Sequence, residues 1–214
     1  MKKLVENMIR FIEVSKEKHL IIGISGHGAA GKTMFAERLC SALEPGTYNY
    51  LNTDPYIIHG TYRKHLEAVY EYNGQIHRFK PTACMPSAHE LSGLERDLKS
   101  IKGGRDVLTI HKEWMPEEVM SAGYSVTVVE GMSIAFLDPA LFDCSVYIYT
   151  DGETELNRRL DRDINDRGRK TEALYQSHEE RRIQYELFMH PESVHFDILV
   201  NHSNDQFKIE RTCF

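Results

Sequence analysis

The chain is poor in the features that would tie it to an oxidising, membrane or nucleic-acid setting. Its four cysteines, Cys40, Cys84, Cys144 and Cys213, are scattered, with no C-x-x-C pair and no close Cys/His spacing. That pattern excludes a disulfide framework and a zinc site, and it reads as free thiols in a reducing, cytoplasmic compartment. No stretch approaches the ~18 uninterrupted apolar residues of a membrane span. Positive charge is short as well. The 26 Lys and Arg stand against 32 Asp and Glu, and a formal charge of −6 argues against a nucleic-acid surface as the main business. Internal repeats, low-complexity tracts and linkers are missing too.

What remains is ordinary for one globular unit. With 214 residues, 41% hydrophobic and 27% charged, a single α/β domain over residues 1–214 is expected. Its first residues begin with two lysines, but Glu6, Glu13 and Glu17 break any secretory apolar segment. Leu4, Val5, Met8, Ile9 and Ile12 instead share one helical face, which predicts an amphipathic helix within residues 1–18. A homo-oligomer is compatible with this composition.

Residues 26–33 read GHGAAGKT, a full match to the phosphate-loop pattern G-x-x-x-x-G-K-[ST]. Just upstream, residues 19–25 form a short apolar run suited to a buried parallel strand. Downstream, Phe35, Leu39 and Leu43 recur at helical spacing. Strand, glycine-rich turn and helix give the pattern its meaning, because loop amides and the positive helix end cradle phosphates. Gly26, His27, Gly28, Ala29, Ala30, Gly31, Lys32, Thr33 and Met34 are therefore the expected nucleotide contacts. Lys32 would reach the β- and γ-phosphates and Thr33 would ligate Mg²⁺. His27 is read as a spacer within the loop.

Four further apolar runs predict strands at residues 48–52, 126–130, 145–149 and 196–200, with helical segments between them. That alternation implies a three-layer α/β sandwich built on a five-stranded parallel sheet, with ligands at the carboxyl ends of the strands. Gly26, Asp54, Glu130, Thr150 and Asn201 all fall at such ends. Glu130, closing an apolar strand, is the expected second Mg²⁺ group, and a solvated strand-end carboxylate is the alternative. Asp54 is the expected general base toward an acceptor hydroxyl, and a turn-capping Asp before Pro55 is its alternative. Residues 57–115, irregular and rich in aromatics and histidines up to residue 86, suit an acceptor-binding excursion. Tyr56, His111 and Trp114 are the candidate acceptor contacts, although packing accounts equally well for His111 and Trp114. Residues 87–99 read as a helix, and 107–110 as a short strand after it.

Residues 158–169, RRLDRDINDRGR, are the second distinctive feature. Arg158, Arg162 and Arg169 repeat at helical spacings, with Arg159 beside them. A solvated face laced with Asp–Arg pairs is one reading. A lid over residues 158–176, closing its arginines on the phosphates, is the other.

The strand end VVEG, the arginine run and the later FMHPESVHFDILV resemble the uridine kinase and phosphoribulokinase-like family of P-loop kinases. The resemblance covers residues ~19–56 and ~86–201, and its motif R-R-x-x-R-D-x-x-x-R-G-R is specific. It implies ATP and Mg²⁺, an Arg-rich lid, and transfer of the γ-phosphate to a hydroxyl of a small molecule. By the same resemblance Arg162 and Arg169 become catalytic lid residues beside Lys32 and Asp54. Arg158 and Arg167 would contact the nucleotide.

Departures from that family concern the acceptor. Where uridine kinases carry D-S-F-Y, this chain has Asp54-Pro55-Tyr56-Ile57. Where they carry D-H-P-D-A-F-D, it has Cys84-Met85-Pro86-Ser87-Ala88-His89-Glu90, without the ribose-binding carboxylate. The expectation is a uridine/cytidine kinase-like phosphotransferase with altered acceptor recognition. A kinase of another small alcohol (a sugar, a sugar phosphate, a pantothenate- or glycerate-like compound) and a degenerate nucleotide-binding module are the alternatives. A GTPase is disfavoured because no N-K-x-D motif exists. A transport ATPase is disfavoured because Glu130 is not preceded by Asp.

Overall fold

The computed structural model describes residues 1–165 and 171–214, with side chains except at 162–165, 171–174 and 176. In chain order the first half holds α1 (Lys2–Val14), β1 (Leu20–Ser25), α2 (Lys32–Cys40), β2 (Tyr48–Asn52), α3 (Gly60–Arg63), β3 (Ala68–Tyr72), β4 (Gln75–Phe79) and α4 (Leu91–Lys102). The second half holds β5 (Val107–Leu108), β6 (Val119–Met120), β7 (Val126–Glu130), β8 (Cys144–Tyr149), α5 (Gly152–Asn165), α6 (Thr171–Gln184), β9 (Ile198–Asn201) and β10 (Lys208–Arg211).

The central sheet runs β10-β9-β8-β1-β7-β2. The strands β2, β7, β1, β8 and β9 are all parallel, as the alternation of apolar runs and helices requires. β1 and β7 are buried at every position, because helices cover both faces of the sheet. Alternate side chains feed two cores. Ile22, Ile24, Val128 and Val146 pack with Leu4, Met8, Phe35 and Leu39 of α1 and α2. Ile21, Val129 and Tyr147 pack on the other face with Leu94, Leu98, Tyr185 and Met189. Leu4 and Met8 are fully buried, and each such side chain stabilises the fold by roughly 1.5–3 kcal/mol. The N-terminal helix is thus a working layer of the domain.

Four features differ from the sequence reading. A sixth strand, β10, pairs antiparallel to β9 at the sheet edge. The turn between them holds Asn204 and Asp205 at φ +51° and +57°, a left-handed conformation these residues tolerate. The stretch before residue 86, read as irregular, contains the β3–β4 hairpin, closed by Asn73-Gly74 with φ of +50° and +76°. The helix expected over 87–99 starts later, at Leu91, since Pro86–Ala88 forms a separate 3-10 turn and the Glu90 side chain caps the helix through Gly93 N–H. β5 pairs with β6 outside the central sheet, and the loop between these two strands carries His111 and Trp114.

Candidate active site

β1 delivers the chain at Ser25 to the carboxyl edge of the sheet, where the phosphate loop turns it into α2. Two glycines are required there. Gly26 has φ +140°, and a Cβ on it would lie 1.8 Å from the Ile148 carbonyl oxygen. Gly31 has φ +98°, and its Cβ would lie 2.6 Å from His202 Nδ1. The His202 ring donates through Nδ1 to the Ala30 carbonyl at 2.9 Å, so the end of β9 braces the loop from below. Gly28, Ala29, Gly31, Lys32, Thr33 and Met34 face a cleft of about 590 Å³. The first amides of α2 therefore open toward it, as anion binding needs.

His27 is far more than a spacer. Its side chain is closed to solvent, and Nε2 accepts from the Thr150 amide at 2.9 Å. That bond places the proton on Nδ1, which donates to the Gly28 carbonyl at 2.8 Å. Burial pushes the imidazole down to about 4, against an opposing pull from Glu155. The ring is neutral and locks the loop to the end of β8.

Lys32 Nζ donates to the His27 carbonyl at 3.0 Å. Burial lowers its pKa, while the charges of Glu130 and Asp54 raise it. Thr33 Oγ1 donates to Glu130 Oε1 at 3.3 Å, and Asn52 Nδ2 donates to the same oxygen at 2.9 Å. Asn52 stands beside Glu130 in register, and its own Oδ1 accepts from the Asp54 amide at 2.8 Å. One asparagine thus ties the strand-end carboxylate to the residue expected to act as base. Glu130 Oε2 is buried without a hydrogen-bond partner among the described residues. Burial raises the Glu130 pKa, with Lys32 opposing. A buried carboxylate oxygen left open beside a hydroxyl is suited to a cation.

Asp54 also lines the cleft, with Ile57, Arg63, Ala83, Glu130, Met132, Arg158, Arg159 and Arg181. Arg158 donates to the Ala29 carbonyl at 3.3 Å and the His202 carbonyl at 3.0 Å, and pairs with Asp205 at 2.9 Å. Arg181 of α6 has Nε 3.6 Å from Glu155, a buried carboxylate that also meets Arg182 at 3.3 Å. Asp151 caps α5 by accepting from the Thr154 amide at 2.7 Å, which fixes Glu155 one residue on. Arg63, Arg181 and Asn52 escaped the sequence reading. The Glu179-Glu180-Arg181-Arg182 run looks like any charged helix face, and only the fold turns one of its arginines into the cleft.

Of the expected nucleotide contacts, Gly28, Ala29, Gly31, Lys32, Thr33, Met34 and Arg158 line the cleft with Glu130 and Asp54, whereas Gly26, His27 and Ala30 do not. The acceptor candidates do not line it either. Tyr56 is buried, and its hydroxyl donates to Asp97 at 2.7 Å, so it packs against α4 and does not reach the cleft. His111 pairs with Glu117 on the β5–β6 loop, and Trp114 lies half exposed against His59. Neither lines the cleft. The side chain of Arg162, and all of Arg167 and Arg169, lie outside the described residues.

A glycine-rich strand–helix turn carrying lysine and threonine, with a carboxylate closing the neighbouring strand, defines a P-loop nucleotide-binding protein. A sequence profile of the Phosphoribulokinase / Uridine kinase family matches residues 21–207, and the chain belongs to that family. It is an ATP-dependent small-molecule kinase. Uridine-cytidine kinase B of Dictyostelium discoideum is 27% identical over 201 residues, 89% of this chain and 78% of that protein. The fold is shared with phosphoribulokinase from Rhodobacter spheroides (TM-score 0.62, 17% identity, 87% of this chain and 71% of the other). It is shared equally with D-glycerate 3-kinase from Cryptococcus neoformans (TM-score 0.61, 11% identity, 96% and 99%).

Proposed function

We propose that the chain moves the γ-phosphate of Mg·ATP to a hydroxyl of a small molecule, in a uridine/cytidine kinase-like reaction whose acceptor recognition is altered. The observation that carries this reading is the convergence of Lys32, Thr33, Glu130 and Asp54 on one cleft at the carboxyl ends of β1, β7 and β2. In the transfer the bond from the β–γ bridging oxygen to the γ-phosphorus breaks. A new P–O bond forms to the acceptor oxygen, and the hydroxyl proton passes to Asp54. Lys32 neutralises charge on the β- and γ-phosphates, and the α2 amides hold them in line.

Among the described residues no cluster of three His, Cys, Asp or Glu could hold a metal by itself. Thr33 Oγ1 and the open oxygen of Glu130 are the residues that would hold a magnesium ion here. When bound, it supplies charge neutralisation at the phosphates. The segment 158–176 is the lid of this reading, with Arg158 and Arg159 at its root on α5. Arg162, Arg167 and Arg169 belong to the same proposal. The reducing, cytoplasmic setting proposed for the reaction suits the four free thiols.

The test is ADP release by the full chain against a panel of nucleosides, sugars, sugar phosphates and hydroxy acids, with and without magnesium. Magnesium-dependent ADP release that needs one particular acceptor supports the reading. ATP binding with no acceptor-dependent turnover across the panel overturns it in favour of a degenerate nucleotide-binding module.

A further inference from the structure

The acceptor side of the cleft is built with too much positive charge for a neutral sugar. Arg63 reaches it from α3, held by two backbone carbonyls: Nε donates to Ile58 at 2.7 Å and Nη1 to Pro81 at 2.7 Å. No acidic side chain pairs with it among the described residues. Arg181 faces the same space: its Nε meets Glu155 at 3.6 Å, while its Nη2 has among the described residues only the weak acceptor Met132 Sδ at 3.4 Å. Burial lowers the Arg63 pKa, and repulsion from the Arg181 guanidinium adds to it.

Among the described residues, the only carboxylates lining the cleft are Asp54 and Glu130; Glu130 is tied to Thr33 of the phosphate loop, and Asp54 is the base for the one hydroxyl that reacts. The run that carries a sugar-binding carboxylate in uridine kinases supplies none here. Cys84 is buried, and His89 is tied to Ser133 Oγ at 2.8 Å and the Ala83 carbonyl at 2.9 Å. Glu90 is spent on the α4 cap. Beyond the one hydroxyl that meets Asp54, a neutral diol would find no further carboxylate lining the cleft among the described residues, and Arg63 would stay without a counter-charge. An anion solves both problems, since a guanidinium fork matches the oxygens of a phosphate or carboxylate.

Building on the kinase reading, we infer that the acceptor is a small alcohol bearing an anionic group, a phosphate monoester or a carboxylate, seated between Arg63 and Arg181. The anion anchors the molecule and its hydroxyl extends to Asp54. Neutral nucleosides are then poor substrates, because nothing replaces the charge they lack.

The experiment separates this inference from the kinase reading by taking the two sites in turn. Calorimetry first measures Mg·AMP-PNP binding to wild type, Arg63→Gln and Arg63→Lys, and equal affinities show all three folded with intact nucleotide sites. Absence of AMP-PNP binding by wild type removes the kinase reading itself. The AMP-PNP-saturated proteins are then titrated with inorganic phosphate. Saturable binding to wild type, weakened roughly 10- to 100-fold in Arg63→Gln and partly recovered in Arg63→Lys, is expected for loss of one charged hydrogen-bonding partner. Turnover with ribose 5-phosphate, D-glycerate, uridine and ribose then distinguishes phosphate from carboxylate. Phosphate binding that is absent, or unchanged by Arg63→Gln, overturns the inference. So does a higher kcat/KM for uridine or ribose than for both anionic alcohols.

Discussion

His27 in the phosphate loop lies 3.5 Å from the Glu155 carboxylate on α5, Nδ1 to Oε2, with both side chains closed to solvent. The same carboxylate sits 3.3 Å from Arg182, 3.6 Å from Arg181 and 3.9 Å from Arg159. One buried anion therefore joins the loop that holds phosphates to the helix that aims Arg181 into the cleft.

Glu155→Gln removes the charge and keeps the shape. It removes the buried charge that faces Arg181, Arg182 and His27, a loss of up to about 3–5 kcal/mol, the range for a broken buried pair. Chemical denaturation should show that loss directly. Steady-state kinetics should show kcat falling more than ATP affinity, because the loop amides remain while Arg181 loses its brace. Unchanged kinetics in a destabilised variant would reduce Glu155 to a purely structural role.

Asp54 exposes its carboxylate to the cleft while its backbone is fixed through Asn52 to Glu130. Asp54→Asn keeps that backbone anchor and removes only the proton acceptor. Turnover should drop by roughly 10²–10⁴, the range for a general base, with Mg·ATP affinity close to wild type. Wild-type-like turnover in this variant would take Asp54 out of the chemistry.

Tyr56 tests the corrected acceptor site. Its hydroxyl is buried against Asp97, which Arg96 also contacts at 2.8 Å. Tyr56→Phe strands one oxygen of Asp97 and should cost about 1–3 kcal/mol in urea unfolding. The acceptor KM should not move, since the ring does not line the cleft. A raised KM at unchanged stability would restore Tyr56 to the site.

The parallel sheet and the phosphate site were legible because each rests on local pattern. β1 is a continuous apolar run, GHGAAGKT is a contiguous motif, and Glu130 and Asp54 close strands. The β3–β4 hairpin was legible in principle, since Asn73-Gly74 is a strong two-residue turn signal, but the aromatic and histidine residues around it hid the alternation. The acceptor side was not. Tyr56 and Arg63 are both polar-tipped residues just past β2, and only the path of the chain buries one and opens the other. His27 misled for a similar reason: a variable position in a motif says nothing about what stands opposite, here Thr150 and Glu155.

Acid should weaken the fold through two buried histidines. Burial, the larger influence in each case, pushes both His27 and His89 down to about 4 in the folded chain, from an ordinary 6.5. Above pH 6.5 neither state protonates these rings, and their contribution to stability is complete. Between pH 6.5 and 4 the unfolded chain takes up protons that the folded chain refuses, so stability falls as pH falls. Each ring accounts for a loss on the order of 3 kcal/mol across that window. Urea unfolding from pH 7.5 to 4.5 should show a midpoint that declines most steeply below 6.5. His27→Asn and His89→Asn, each less stable at neutral pH, should show a shallower decline. A midpoint that holds level from pH 6.5 to 4.5 would mean that the folded chain carries these imidazoles charged, and the neutral His27 tautomer bracing the phosphate loop would go with it.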